Sequence, residues 1–164
     1  MERAENRDLK TKPLAIEPPR LVQGGLHVDM RGTVSFVNDF DFKGVDRFYT
    51  IRPHRAREPR GWTGHQRDHK WFTCVQGSFL VAVVKPDIWD SIPTSNLPIE
   101  RYVLLAAKPS VLSVPPGHAT GMMALSDDAI LMVFSSGNIA ESKQDDYRFR
   151  SDIWPVTDDS FGVK

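Results

Sequence analysis

The chain has 164 residues, 40% of them apolar and 26% charged, which suits one folded domain with its own core and argues against disorder. Twenty-one Lys and Arg balance twenty-one Asp and Glu, so the basic excess of a protein that coats nucleic acid or an anionic membrane is missing. The longest apolar runs, 79–84, 102–107 and 129–134, fall far short of the roughly 20 residues that cross a bilayer.

The opening MERAENRDLKTK mixes acids with bases and leads into no apolar stretch, so neither a secretory signal nor a transit peptide is read and the cytoplasm is the expected address. Residues 1–20, with Pro13, Pro18 and Pro19, read as a flexible N-terminal arm, and 21–164 as a single domain. From residue 26 onward short β-prone runs recur at 26–28, 33–38, 47–52, 71–76, 79–85, 101–106, 110–114, 121–125 and 129–135. Gly77 marks a hairpin after Gln76, Pro115-Pro116-Gly117 closes a strand, and Ser126-Asp127-Asp128 joins two more. Strands this short and this regularly spaced predict an all-β sandwich or barrel. The proline-punctuated stretch 86–100 reads as a surface loop. Residues 141–149 predict one short helix with Glu141, Lys143, Asp145 and Asp146 facing solvent. Cys74, the single cysteine, lies in an apolar stretch and reads as core packing; within this chain it excludes a disulfide and a multi-cysteine metal site.

Two segments carry the chemistry. The first runs Arg60-Gly61-Trp62-Thr63-Gly64-His65, then Lys70, then Gly77; the second is Pro115-Pro116-Gly117-His118-Ala119-Thr120-Gly121. Their order and spacing resemble the two motifs of the cupin superfamily. Within it, Asp29-Met30-Arg31-Gly32, Arg60-Gly61 and the closing Asp152-Ile153-Trp154-Pro155 resemble the sugar-nucleotide branch. That branch contains the dTDP-4-dehydrorhamnose 3,5-epimerases and the dTDP-4-keto-6-deoxyglucose 3,4-ketoisomerases, with the WxcM-like proteins. The resemblance implies a cupin jelly-roll β-barrel of two antiparallel sheets, and a homodimer in which the strand near Arg31 reaches the partner. It also implies a nucleotide-sugar substrate.

The departures from the family pattern shape the expected chemistry. Metal-binding cupins use three histidines and a glutamate; the matching positions here hold Thr63, His65, Lys70 and Thr120, of which His65 alone is a ligand type. Lys70 puts an ammonium where the cation would sit, so no metal and no cofactor are expected. The epimerase-like enzymes resemble this sequence less at Thr63 and Thr120, where they carry histidines, and a hydroxyl is no general base near neutral pH. The ketoisomerases resemble it in keeping His65.

Removing a proton next to a ketone needs a base and a positive group for the developing enolate oxygen. His65 and Lys70 supply that pair, with Tyr49 as a candidate proton donor. Arg31 and Arg60 match arginines that bind the diphosphate in the family, and their guanidinium forks suit phosphate oxygens. Thr63, Thr120 and His118 are placed by strand alternation in the same pocket and are read as substrate-binding. The reading is a metal-free nucleotide-sugar epimerase or ketoisomerase acting on a dTDP-4-keto-6-deoxyhexose-like substrate. The alternative is a non-catalytic cupin that binds a sugar or nucleotide sugar through a degenerate active site.

Overall fold

The structure, a computed structural model, describes residues 16–158. The first fifteen residues of the expected arm lie outside the described residues, and Arg20 at its end already opens a strand. Twelve strands and one helix follow: β1 (Arg20–Gln23), β2 (Gly25–Asp29), β3 (Gly32–Phe36), β4 (Arg47–Ile51), β5 (Arg60–His65), β6 (Lys70–Gln76), β7 (Ser78–Val84), β8 (Ile99–Leu105), β9 (Ser110–Val114), β10 (His118–Ala124), β11 (Ile130–Ser135), α1 (Ile139–Gln144) and β12 (Tyr147–Arg148). One five-stranded antiparallel sheet has the order β1-β9-β6-β11-β4 and a second the order β12-β5-β10-β7-β8, while β2 and β3 form a separate hairpin. Consecutive strands repeatedly fall in different sheets; the strand spacing predicts a sandwich or barrel, and the observed sandwich has the jelly-roll character that the resemblance implies.

Alternation within the strands decides what lies between the sheets. Phe72, Cys74, Leu112, Val114, Leu131 and Val133 of the first sheet meet Phe79, Val81, Val83, Leu104, Met122 and Ala124 of the second in one core. The second sheet is covered on its outer face as well, where Trp62, Leu80, Ala82, Val84, Ala119 and Met123 pack under Trp154 and Val156 of the C-terminal segment. This double cover explains why 79–84 is continuously apolar rather than alternating. Gly77 turns β6 into β7 with a φ of +66°, a conformation that disfavours any side chain. Among the described residues, no helix is long and apolar enough to cross a membrane.

The helix differs from its expected span. It starts earlier, because Asn138 caps it by accepting from the Ala140 and Glu141 amides while Glu141 returns a bond to the Asn138 N–H. It also stops at Gln144, and Tyr147–Arg148 pair with β5 instead. Asp145, expected on the solvent face, is 2% exposed.

Candidate functional site

Strand β5 has two unlike faces. Trp62 is buried on the outer one and donates its Nε1–H to the Trp154 carbonyl at 2.9 Å, while a side chain at Gly64 would strike Trp89 and Phe149. Thr63 and His65 therefore point between the sheets. On β10, Thr120 shares the inner face with Met122 and Ala124 of the core. The β5–β10 register then sets His118 opposite His65 and Thr120 opposite Thr63. Directly opposed residues hold their Cβ atoms about 4.5–5.5 Å apart, so the two sequence motifs meet as one inward patch.

His65 is fixed by its surroundings. Its Nδ1 lies 2.7 Å from the main-chain oxygen of Asp145. A carbonyl can only accept, so Nδ1 carries the proton and the lone pair of the neutral ring is on Nε2. Nε2 has no hydrogen-bond partner among the described residues, and no buried side-chain nitrogen or oxygen there is left unpartnered, so this nitrogen reaches solvent. Burial, and then the Lys70 ammonium, push the His65 pKa below its ordinary value; the Asp145 carbonyl and the Asp68 and Asp145 charges oppose them and lose. The ring is accordingly neutral near pH 7.

Lys70 is 4% exposed and stands on the inner face of β6. Its Nζ donates to Asp68 Oδ2 at 2.6 Å and to Ser135 Oγ at 2.9 Å. An ammonium has three N–H bonds, so one remains uncommitted to protein oxygen. Asp68 also receives the Gly137 N–H at 3.0 Å and the hydroxyls of Ser136 and Ser142 at 3.1 and 2.8 Å. Burial raises the Asp68 carboxyl, but Lys70 and the serine hydroxyls outweigh it and hold the group far below the usual carboxylate range. Lys70 itself is lowered, by burial against the opposing pull of Asp68.

The remaining expected residues divide. Tyr49 of β4 packs against the core with the Lys70 Nζ 5.8 Å and the Arg47 guanidinium 5.1 Å from its ring centre, and burial raises its pKa. Arg60 opens β5 close enough for its charge to act on the Tyr49 hydroxyl, and among the described residues its side chain makes no hydrogen bond or ion pair. His118 is buried, with Nδ1 3.0 Å from the Pro115 carbonyl. It borders a groove of about 310 Å³ with Ile16, Pro18, Pro19, Val83, Lys85, Pro98 and Glu100. Arg31 stands apart from all of these. It sits just past β2 at the tip of the hairpin, where it pairs with Asp29 at 2.6 Å and is exposed. Cys74 is buried and its thiol is pushed up by burial, as core packing predicts. No group of three or more His, Cys, Asp or Glu among the described residues is arranged to hold a metal ion.

Sequence reasoning missed Asp68, Ser135, Ser142 and Asp145. One signal was available: Asp68 and Lys70 stand two residues apart in an extended stretch and so share a face. Nothing local marks Asp145, whose partners lie 77 to 80 residues away.

The model of the family described as FdtA: WxcM-like, C-terminal, matches residues 20–152. Among solved structures, the RmlC epimerase of Mycobacterium tuberculosis is similar with a TM-score of 0.66 and 23% identity over 89% of this chain and 73% of that one. ChmJ, a 3'-monoepimerase from Streptomyces bikiniensis solved with dTDP-quinovose, gives 0.67 and 23% over 92% and 76%. The QdtA 3,4-ketoisomerase of Thermoanaerobacterium thermosaccharolyticum, solved as a double mutant with TDP, gives 0.60 and 20% over 80% and 87%. No curated protein matches the chain. At these identities the structural likeness shows the cupin-type fold.

Proposed function

This chain belongs to the FdtA family of WxcM-like C-terminal domains, and on that premise we propose that it is a metal-free nucleotide-sugar epimerase or ketoisomerase. Its substrate would be a dTDP-4-keto-6-deoxyhexose-like molecule. The observation that carries this reading is the pairing, inside the sandwich, of an unprotonated, solvent-reaching His65 Nε2 with a buried Lys70 ammonium that keeps one N–H uncommitted.

The chemistry follows from that pair. Nε2 takes the proton from the carbon beside the ketone, the C–H electrons move into the carbonyl, and the new enolate oxygen receives the free Lys70 N–H. A proton returned to the same carbon from the opposite face gives an epimer. Returned to the neighbouring carbon, after a proton passes between the two oxygens, it gives a ketoisomer. Tyr49, beside Lys70, is the proposed donor for that return. Thr63 and Thr120 would hold sugar hydroxyls, His118 the mouth of the site, and Arg60 the diphosphate. The metal-free part rests on the donor set: Lys70 and two threonines stand where ligands are needed.

Arg31 belongs to the proposal through a second copy of the chain. The hairpin that carries it exposes Val28, Met30 and Val34 at 67%, 104% and 60%, an apolar finger left uncovered by the described residues. A homodimer would bury it and carry Arg31 to the partner's diphosphate.

The test is proton NMR of dTDP-4-keto-6-deoxyglucose with the protein in heavy water, with His65→Asn alongside. Deuterium should enter at C3 with the native chain and not with the variant, and product shifts then separate epimer from ketoisomer. The facing threonines favour a second reading, a binding module that lost a base. Saturable line broadening without any exchange would establish it, and absence of both would overturn the choice of ligand.

A further inference from the structure

We infer that Asp145 is the positioning residue of this site, which fixes His65 in the tautomer a base requires; the inference rests on the reading of His65 as that base. Asp145 ends α1, its own N–H reaching the Ser142 carbonyl at 3.2 Å, and it is buried. It acts on four consecutive residues with two different groups. The carboxylate receives the backbone N–H bonds of Gln66, Arg67 and Asp68 at 2.9, 2.9 and 2.8 Å. The main-chain oxygen receives the His65 Nδ1–H at 2.7 Å.

The division of labour matters. Asp145 Oδ2 is 4.0 Å from His65 Nδ1, too long for a hydrogen bond, because the carboxylate is held by three amides that form a nest for negative charge. The side chain thus anchors the turn after β5, and the anchored turn keeps the ring against the carbonyl. Asp68, at the far end of the turn, reciprocates: its carboxylate takes the Gly137 N–H and the Ser136 and Ser142 hydroxyls on the segment leading into and through α1. Two exchanged carboxylates clasp the turn to the helix segment. An Nε2–H tautomer would set the Nδ1 lone pair against a carbonyl lone pair at 2.7 Å, so the clasp excludes it. The charged groups acting on the ring are Lys70 from β6, Asp68 from the turn and Asp145 itself.

The experiment is a long-range proton–nitrogen correlation spectrum of the full chain labelled with nitrogen-15 in histidine, the His65 signals being assigned by their loss in His65→Asn. Near pH 7.5 the native protein should show His65 protonated on Nδ1 and bare on Nε2. Asp145→Ala should populate the Nε2–H tautomer and slow C3 exchange by about 10- to 100-fold with little change in KM, a part of the roughly 100- to 10,000-fold that a positioned base contributes. Asp145→Asn, nearly the same shape, keeps some of the amide contacts; it should lie between the two and serves if the alanine variant does not fold. A native His65 protonated on Nε2, or an unchanged tautomer in a folded variant, overturns the inference. Native protein with the Nδ1–H tautomer but no exchange would uphold Asp145 while rejecting His65 as a base.

Discussion

At the scale of single residues, the proposed site turns on an imidazole whose proton is disfavoured and a buried lysine, ion-paired with Asp68, whose charge acts on it. Burial and the Lys70 charge both make a proton on His65 unfavourable. The rate should therefore hold to a pH below the ordinary histidine value of about 6.5 and fall only where His65 begins to protonate. Lys70→Met removes one of the two causes. The acid limb of kcat/KM should then move to higher pH, since the carboxylates of Asp68 and Asp145 are left to favour the protonated ring; an unmoved limb would mean that Lys70 does not act on His65. The same change strands Asp68 without its cation and should cost about 3–5 kcal/mol of stability by urea denaturation. His65, Thr63, His118 and Thr120 could be found from spacing because both motifs are short and a strand alternates by two. Of the carboxylates that organise them, Asp68 offers a two-residue spacing from Lys70, and Asp145 offers nothing of the kind. Asp145 follows a charged stretch of helical pattern, where solvent exposure is the ordinary reading, and its burial is created by a turn 77 to 79 residues earlier.

Among the elements, those with β-branched and aromatic runs were legible and those built from glycine or polar residues were not. β5 carries Gly61 and Gly64, so it has little strand propensity of its own; it exists because β10 pairs with it and because Gly64 lets Trp89 and Phe149 lie against its outer face. β1 follows Pro18 and Pro19; its Arg20 falls in the expected arm and the other three residues in no predicted run, and pairing with β9 makes it a strand. β12 is two residues long, below what any periodicity can reveal. The helix was readable as a helix, though the reading 141–149 overlooked Asn138 as its start and the pull of β5 on Tyr147. Asn138→Ala removes the acceptor of two amides and should cost about 1 kcal/mol in a urea titration. Because α1 ends on Asp145, the loss should also appear in the His65 nitrogen signals; a normal midpoint would show that the cap is dispensable.

For the whole molecule, the decisive signal was the recurrence of short apolar runs separated by turn chemistry, which left a two-sheet architecture as the economical way to bury them. What a single sequence could not convey is where that architecture is left uncovered. The β2–β3 hairpin exposes apolar side chains on both faces, Val28 on one and Val34 on the other. Light scattering should give a dimer for the native chain, and Val28→Asp with Val34→Asp should give a folded monomer that has lost nucleotide-sugar turnover. A native monomer at micromolar concentration would remove the dimer and the role of Arg31 together.

The groove beside His118 has one wall unlike the rest. Ile16, Pro18, Pro19, Lys85 and Pro98 lie outside every strand, and the three prolines offer no N–H to a sheet. Substitution there forfeits no ladder bond and opens no hole in the core, so if the proposed substrate lies along this groove, its preference can drift over evolutionary time, or be redesigned, while the barrel, His65 and Lys70 stay as they are.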